Sequence, residues 1–175
     1  MELLKNCPNL EEVILPNVLD VGSYNFENCP KLKRIILPKY WIGSYNHDND
    51  CPPLFDNIDL SKLDIDILLL GIYDYPNSAL MRLPHIKILI LPNLRYMGYS
   101  AVLKADYVII PNTVVSKLTS DIEGIMYVDD DYIDDYRVGN DGWTWNYKYE
   151  AGELLPISQL PQEIREELEL CQIQI

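Results

Sequence analysis

The stretch Leu10-Glu11-Glu12-Val13-Ile14-Leu15-Pro16 decides the fold, because the chain repeats its pattern several times. The pattern is one apolar residue, two free positions, an apolar residue, a third free position, an apolar residue and usually a proline. It returns in full at residues 32–38 and 86–92, and in weaker form at residues 65–71 and 105–111. A motif that recurs about every 20 residues indicates a repeat architecture.

The spacing of the copies is regular, with one interruption. The first and second copies begin 22 residues apart, at Leu10 and Leu32, and the third and fourth begin 21 apart. The second and third copies begin 33 residues apart, which is one period plus about 11 residues. The additional residues fall within 47–62, a segment with the composition of a loop. We interpret it as a surface loop, with a dedicated binding loop as the alternative.

Each copy has the composition of a short β-strand, since it is rich in Ile, Val and Leu and ends in a residue that breaks pairing. In the first copy, alternation places Val13 and Leu15 on one face and Glu12 and Ile14 on the other. One such strand cannot bury its inner face alone, but stacked copies can. We therefore predict one buried inward residue per copy: Leu15, Leu37, Leu68, Leu91 and Ile110.

Length and charge limit the classes of function. The chain has 175 residues, enough for one domain with a sizeable core. Its net charge of −13 argues against nucleic acid or an anionic membrane as the main partner. The chain has no apolar run of membrane-spanning length, and its start does not have the pattern of a signal peptide. We therefore expect no membrane insertion, and the chain alone leaves its localisation open.

The composition changes after a last short strand at residues 124–128. Residues 129–155 are acidic, aromatic and irregular, and residues 158–170 have the pattern of a short helix. Pro161 suits the first turn of that helix, and Ile164 with Leu168 forms one apolar stripe. We predict a repeat domain over residues 1–128 and a C-terminal cap with a short terminal helix over residues 129–175.

These motifs resemble those of leucine-rich repeat proteins of the BspA-like subtype. One repeat fits that pattern in order through Phe26, Cys29, Leu32, Ile35, Leu37, Pro38, Ile42 and Gly43, and the repeat before it fits through Leu4, Cys7, Leu10, Val13, Leu15, Pro16, Val21 and Gly22. The C-terminal segment is similar to the ending of such proteins at Tyr127, Val128, Asp130, Ile133, Tyr136, Trp143, Pro156, Ile157 and Ser158.

The resemblance implies an α/β repeat fold: a right-handed solenoid with a parallel β-sheet on one face and short helices or turns on the other. It also implies a bacterial, often surface-exposed, protein-binding module, so that a fragment of such a protein would be secreted or displayed on the cell. It supplies no catalytic residues. We expect no cofactor and no catalytic or metal site.

Three groups of polar residues have both a structural and a chemical interpretation. Cys7 and Cys29 are one period apart, which favours a ladder of small buried residues over a disulfide or a metal site. His47 and His85 lack partners for a zinc site or a catalytic triad, which favours a structural role. The acidic run Asp129, Asp130, Asp131, Asp134 and Asp135 has oxygen ligands for calcium, but it lacks a calcium-loop pattern and is better explained as a solvated helix start.

The outward strand positions predict an apolar stripe on the sheet face away from the core. One outward row is Ile14, Ile36, Leu69, Ile90 and Ile109, ending near Tyr127, and the other is Glu12, Arg34, Ile67, Ile88 and Tyr107. An exposed patch of that kind usually marks an interaction surface. The candidate partner-binding residues are Ile67, Leu69, Ile88, Ile90, Tyr107 and Ile109. The alternatives are that a second copy or the insertion at 47–62 covers them, or that they reflect strand propensity alone.

Function is expected to be non-enzymatic. The leading hypothesis is an adhesion-type module that binds a protein or a surface glycan on the sheet face, as part of a larger bacterial surface protein, with self-association possible. The first alternative is a structural part that caps the end of a surface or virion protein. An enzyme of unknown type ranks only third among the hypotheses, because no nucleophile–base pair or metal cluster is recognisable in the sequence.

Overall fold

The structure is a computed structural model. It describes residues 4–19, 26–40, 59–72, 74–75, 84–94, 96–97, 103–111, 122–133 and 152–175. The helices it contains are few and short, and none of those described is long and apolar enough to cross a membrane.

One sheet of seven parallel strands dominates the described part of the chain. In sheet order these strands are β1 (Glu12–Ile14), β2 (Arg34–Leu37), β3 (Asp64–Leu70), β5 (His85–Ile90), β7 (Leu103–Ile110), β8 (Ile122–Val128) and β9 (Gly152–Pro156). Two short strands, β4 (Asp74–Tyr75) and β6 (Tyr96–Met97), pair with each other in a second small parallel sheet. Each main strand follows its neighbour in chain order, which is a repeat-like arrangement. We call one main strand and the connection that follows it a rung.

The pairing register agrees with the repeats in the sequence. The second free position forms the row Glu12, Arg34, Ile67, Ile88, Tyr107 and Ile125, and the third free position forms the row Ile14, Ile36, Leu69, Ile90, Ile109 and Tyr127. Both rows were predicted from the repeat pattern. One assignment within the third copy was wrong: Leu68 pairs with Ile35, and the residue opposite Leu37 is Leu70. Leu68 still points inward, because two residues are one full period of a strand.

The inner face of the sheet builds the larger core. The predicted inward residues Leu37, Leu68, Leu91 and Ile110 are fully buried there, as predicted, whereas Leu15 in the first rung is only half-buried. Residues of the connections complete this core, among them Phe26, Cys29, Leu32, Ile72 and Leu94. The connections that the structure describes therefore lie on the inner side of the sheet.

The outer face of the sheet, which carries the two free-position rows, builds a second core. Here Ile36, Ile67, Leu69, Ile88, Ile90, Ile109 and Tyr127 pack against Leu160, Ile164, Leu168 and Ile173 from the end of the chain. The C-terminal helix α1 (Gln162–Leu170) thus lies across the outer face. The described residues form three layers, with connections on one side of the sheet and α1 on the other.

The segment from β8 to the C terminus contains a strand that the sequence pattern did not predict. β9 pairs with β8 in parallel and extends the main sheet into the predicted cap. A short 3-10 helix at Ile157–Gln159 follows, and α1 begins at Gln162 rather than near residue 158. Pro161 is the N-cap residue of α1, where its missing N–H costs no helical hydrogen bond.

Candidate interaction surfaces

The predicted partner-binding patch is not open in the structure. Its five aliphatic members, Ile67, Leu69, Ile88, Ile90 and Ile109, are buried, and Tyr107 is half-buried. The expectation that these side chains are exposed was therefore wrong. The sequence also allows concealment by the chain itself, but with the insertion at 47–62 as the cover. That insertion lies largely outside the described residues, and the cover that the structure contains is α1 with the residues that flank it.

The apolar stripe of α1 supplies the contact with the outer face. Ile164 and Leu168 are four residues apart, so they lie one above the other on the same side of the helix, and both are buried. Leu160 before the helix and Ile173 after it extend the contact in both directions. The opposite side of the helix is charged or exposed, and Leu170 there leaves 83% of its side chain in solvent. The helix is therefore amphipathic, and the stripe faces the sheet.

Polar contacts hold the margins of this helix on the sheet. Lys87 from β5 pairs with Glu167 at 2.6 Å, and this contact raises the pKa of the lysine. Near the first rungs, the guanidinium group of Arg34 lies 3.8 Å from the Sγ atom of Cys171 while its Nε atom pairs with Glu12 at 2.8 Å. These contacts join β5 to α1 and β2 to the residue that follows α1.

The turn that leads from β9 into α1 is fixed by side chains that satisfy backbone groups. Arg165 donates to the carbonyl oxygens of Leu160, at 3.2 Å, and of Ile157. Asp130, after β8, accepts a hydrogen bond from the backbone N–H of Ser158 at 2.9 Å, which lowers the pKa of this carboxyl. Because these polar groups are satisfied, the chain can reverse over the edge of the sheet at a fixed place.

The first free position of the repeat carries a row of alternating charges. In rung order the row is Glu11, Lys33, Asp66, Lys87 and Asp106. The backbone N–H of Lys33 donates to the Glu11 carbonyl and that of Asp66 donates to the Lys33 carbonyl, so these positions are neighbours across the rungs. The Lys33 ammonium group lies 4.0 Å from the Asp66 carboxylate. Opposite charges on adjacent parallel strands attract one another, which favours this register.

His85 lies between two carboxylates at the start of β5. Its Nδ1 atom is 2.8 Å from Asp64 of β3, and its Nε2 atom is 3.4 Å from Asp106 of β7. The hydrogen bond to Asp64, helped by the charge of Asp106, raises the pKa of His85. Asp64 also pairs with Lys33 at 3.0 Å, and its own pKa is lowered by both partners. His85 thus links three neighbouring strands, and its structural role stays a prediction; His47 lies outside the described residues.

Cys7 and Cys29 occupy equivalent places in the first two rungs; Cys29 is buried, as expected for a ladder of small buried residues, whereas Cys7 is only half-buried. The Sγ atom of Cys29 is buried and lies 3.3 Å from the carbonyl oxygen of Leu4 in the preceding rung. Burial raises the pKa of the Cys29 thiol. The Cys29 thiol thus lies against the backbone of the neighbouring rung.

The acidic run after β8 begins a short 3-10 helix, Asp130–Tyr132. Asp129 is its N-cap residue, and the Asp129 carboxylate accepts from the backbone N–H of Asp131 at 2.9 Å. This is the helix start predicted from the sequence, while Asp134 and Asp135 lie outside the described residues. Within the described ranges, no group of three or more His, Cys, Asp or Glu side chains is arranged to hold a metal ion.

The first strand is an edge. β1 pairs with β2 on one side, and no strand of the described residues pairs with its other side. Ile14 in the outer row is 48% exposed, whereas the residues equivalent to it in the following four strands are buried in the outer core; Leu19, after β1, is 58% exposed. An edge strand of this kind presents unpaired backbone groups and is a place where another strand can add.

Comparison of the chain with protein-family models, with curated proteins and with solved structures finds no match. The surfaces must therefore be interpreted from their own chemistry. Two features were not found by sequence reasoning: the pairing of β9 with β8 and the docking of α1 on the outer face. The signals available for the second were the apolar outward rows and the apolar stripe of the terminal helix, which need each other for burial.

Proposed function

We propose that this chain is a non-enzymatic module that ends a right-handed leucine-rich repeat solenoid and binds protein through its open strand β1. The observation that carries the proposal is the position of α1. The apolar outer face, where an adhesion site was expected, is occupied by Ile164 and Leu168 of the same chain. Among the residues that the structure describes, the edge of the first rung stays available. The resemblance of the repeats to bacterial surface proteins makes such a protein the setting that we propose.

The path of the chain after β9 supports a terminating role. The described connections between earlier strands contribute to the inner core, whereas the chain that leaves β9 crosses the outer face instead. It therefore does not follow the path that would start another rung. β9 also has the features of a protected edge, because Pro156 lacks an N–H donor and Glu153 is exposed and charged.

The open end supports binding of a further rung. Three contacts between rungs one and two each join residues that are 22 apart in the chain. Asn28 donates to Asn6 at 2.6 Å, Lys31 to Asn9 at 3.0 Å and Lys39 to Asn17 at 2.9 Å. A rung added before the first would meet open backbone N–H and C=O groups of β1, the same kinds of groups that pair β1 with the second rung. In repeat proteins each added interface contributes to the stability of the whole array.

The proposal is tested by lengthening the chain at either end. A copy of residues 26–46 replaces residues 1–3 directly before Leu4, so that the junction repeats the natural Ser-Tyr-Asn sequence found at 23–25 and 44–46. We expect this rung to dock, to acquire protection from hydrogen exchange and to raise the melting temperature by about 2–4 °C for each kcal/mol gained.

The matched control places the same copy after Ile175, where we expect an unprotected tail and no rise in melting temperature. An unprotected N-terminal copy, or equal stabilisation by both copies, would contradict the proposed polarity of the module.

A further inference from the structure

We infer that the strand accepted by β1 is a parallel repeat strand with basic side chains at its first and second free positions. The partner is thus a rung of the same general pattern whose edge carries two Lys or Arg residues followed by two apolar residues. This inference rests on the proposed function and specifies its partner. It comes from the charges of β1, from their places in the two free-position rows and from the backbone groups that the edge leaves open.

The first observation is the alternation of charge along the first free row. From Asp106 back through Lys87, Asp66 and Lys33, every step changes the sign of the charge, and the row ends in the negative Glu11. Lys33 is bonded towards the third rung, to Asp64 at 3.0 Å. Within the described residues Glu11 is exposed and makes no ion pair. A basic side chain at the first free position of an added strand continues the alternation and gives the Glu11 carboxylate a partner.

The second observation is that the neighbouring free position is also acidic on β1. Glu12 is half-buried, and its carboxylate lies 2.8 Å from Arg34 on β2. A basic residue at the second free position of a neighbouring strand therefore already fits β1. β1 is therefore an edge with two adjacent carboxylates. The chain contains a template for the complementary strand, because Lys33 directly precedes β2, β2 begins with Arg34, Ile35 and Ile36, and β2 pairs with β1 in parallel.

The backbone of β1 is oriented for such a partner. The Glu11 carbonyl accepts from β2, and the N–H of Leu15 donates to Ile36 of β2. In a strand, alternate residues direct their N–H and C=O groups to opposite sides, so Glu12 and Ile14 direct theirs to the open side. A parallel strand that pairs there also covers Ile14, which is the exposed end of the outer apolar row.

A second copy of this chain is a poor occupant of the same edge. Its other sheet edge, β9, carries Glu153, which the register places in the row of Glu12. Docking β9 on β1 would set one carboxylate against another, and two β1 strands would bring together edges that are both acidic. Like charges across paired strands destabilise the pairing, and each copy also carries a net charge of −13.

The N-terminally lengthened chain provides the test, because the added copy of residues 26–46 carries the basic pair of β2. In the test variant, the two copy residues that correspond to Lys33 and Arg34 are changed to Glu. The matched control changes the copy residues that correspond to Lys31 and Lys39 to Glu. In the parent those lysines donate backward to Asn9 and Asn17, and in the copy no earlier rung precedes them. Both variants change the charge equally.

We expect the test variant to lose at least half of the gain in melting temperature at low salt, and the control to keep most of it. The difference should narrow at 1 M salt, where the screening length is only about 3 Å. Glu11→Lys in the body of the chain should restore part of the loss. An equal loss of the melting-temperature gain in the test variant and the control would overturn the inference that the partner strand is basic. It would leave the proposal that β1 docks a further rung in place.

Failure of the unmodified basic copy to dock would overturn the proposed function together with this inference. A dimer of the unlengthened chain in sedimentation at low salt, dispersed by Glu11→Lys with Glu12→Lys, would assign the edge to a second copy instead.

Discussion

The ammonium group of Lys87 on β5 lies 2.6 Å from the Glu167 carboxylate on α1. Both side chains are partly exposed, so we expect Glu167→Gln to lower the free energy of unfolding by less than about 1 kcal/mol. The loss should shrink as salt is added. Urea unfolding measures it, with Glu169→Gln, at an exposed position of the same helix, as the control. A loss of several kcal/mol would mean that this ion pair, and not the apolar stripe, holds the helix.

Burial of the apolar stripe of α1 should dominate its attachment. Leu168 is 1% exposed, so Leu168→Ala should cost about 2–5 kcal/mol, the range for a buried leucine. Leu170, which is 83% exposed, provides the control, and Leu170→Ala should change stability by no more than about 0.5 kcal/mol. Similar losses for the two variants in urea unfolding would show that α1 does not pack on the sheet through this stripe.

The burial of the outer row predicts a sharp contrast along a single register. Ile90→Lys places a charge beneath α1 and removes a buried isoleucine, so it should destabilise the chain by at least about 3 kcal/mol. Ile14→Lys, at the exposed end of the same row, should have little effect on thermal or urea unfolding. If Ile90→Lys folds with unchanged stability, the outer face is open and the original expectation of an exposed patch holds after all.

The site around His85 predicts a dependence of stability on pH. Asp64 and Asp106 raise the pKa of His85 above its ordinary value of 6.5, so this contribution is complete below that pH and is lost as pH rises through the folded-state pKa. The pKa of Asp64 is lowered, so its part is lost only as pH falls through that lower value. His85→Gln should therefore reduce the melting temperature most in mildly acidic buffer and least at alkaline pH.

The same site can be followed by titrating the His85 ring signals in NMR spectra. Asp64→Asn should lower the pKa of His85, because the carboxylate that favours the imidazolium form is gone. Asp131→Asn, an exposed change outside this site, should leave the titration in place. An unchanged pKa of His85 in Asp64→Asn would show that Asp64 does not raise it.

Gly124 in β8 should not tolerate a side chain. Its φ of +121° is rarely adopted by other residues, and a Cβ atom would lie 1.8 Å from the carbonyl oxygen of Ala105 on β7. Gly124→Ala should therefore reduce the free energy of unfolding by more than about 1 kcal/mol, with local loss of exchange protection between β7 and β8. A variant as stable as the parent would show that the two strands do not approach this closely.

The register of the sheet could be predicted from the sequence because the repeat determines it locally. Once Val13 and Leu15 are assigned inward, each copy has its free positions in fixed places, and shifting a strand by one residue would move every side chain to the opposite face of the sheet. The one slip, Leu68 for Leu70, was a shift of two residues, which leaves the inward face unchanged. The ladder of Cys7 and Cys29 follows from the same period.

The occupant of the outer face could not be derived in that way. The apolar rows and the stripe of Ile164 and Leu168 were both recognised, but periodicity does not specify which surface a terminal helix covers. β9 was missed for a different reason: the strand is short, begins with Gly152 and ends with Pro156, both of which are unusual in strands. Its assignment depends on pairing with β8, from which it is separated by residues 129–151 of the chain.

The contact between Arg34 and Cys171 spans 137 residues of chain. At a synthesis rate of about 5–20 residues per second, roughly 7–27 s separate the two ends of this contact on the ribosome. During that interval the outer sides of the early strands have no α1 to cover them, although neighbouring strands can already pair. The nascent chain therefore exposes an apolar sheet surface until residues 160–173 are made, and this interval is when aggregation competes most strongly with completion of the fold.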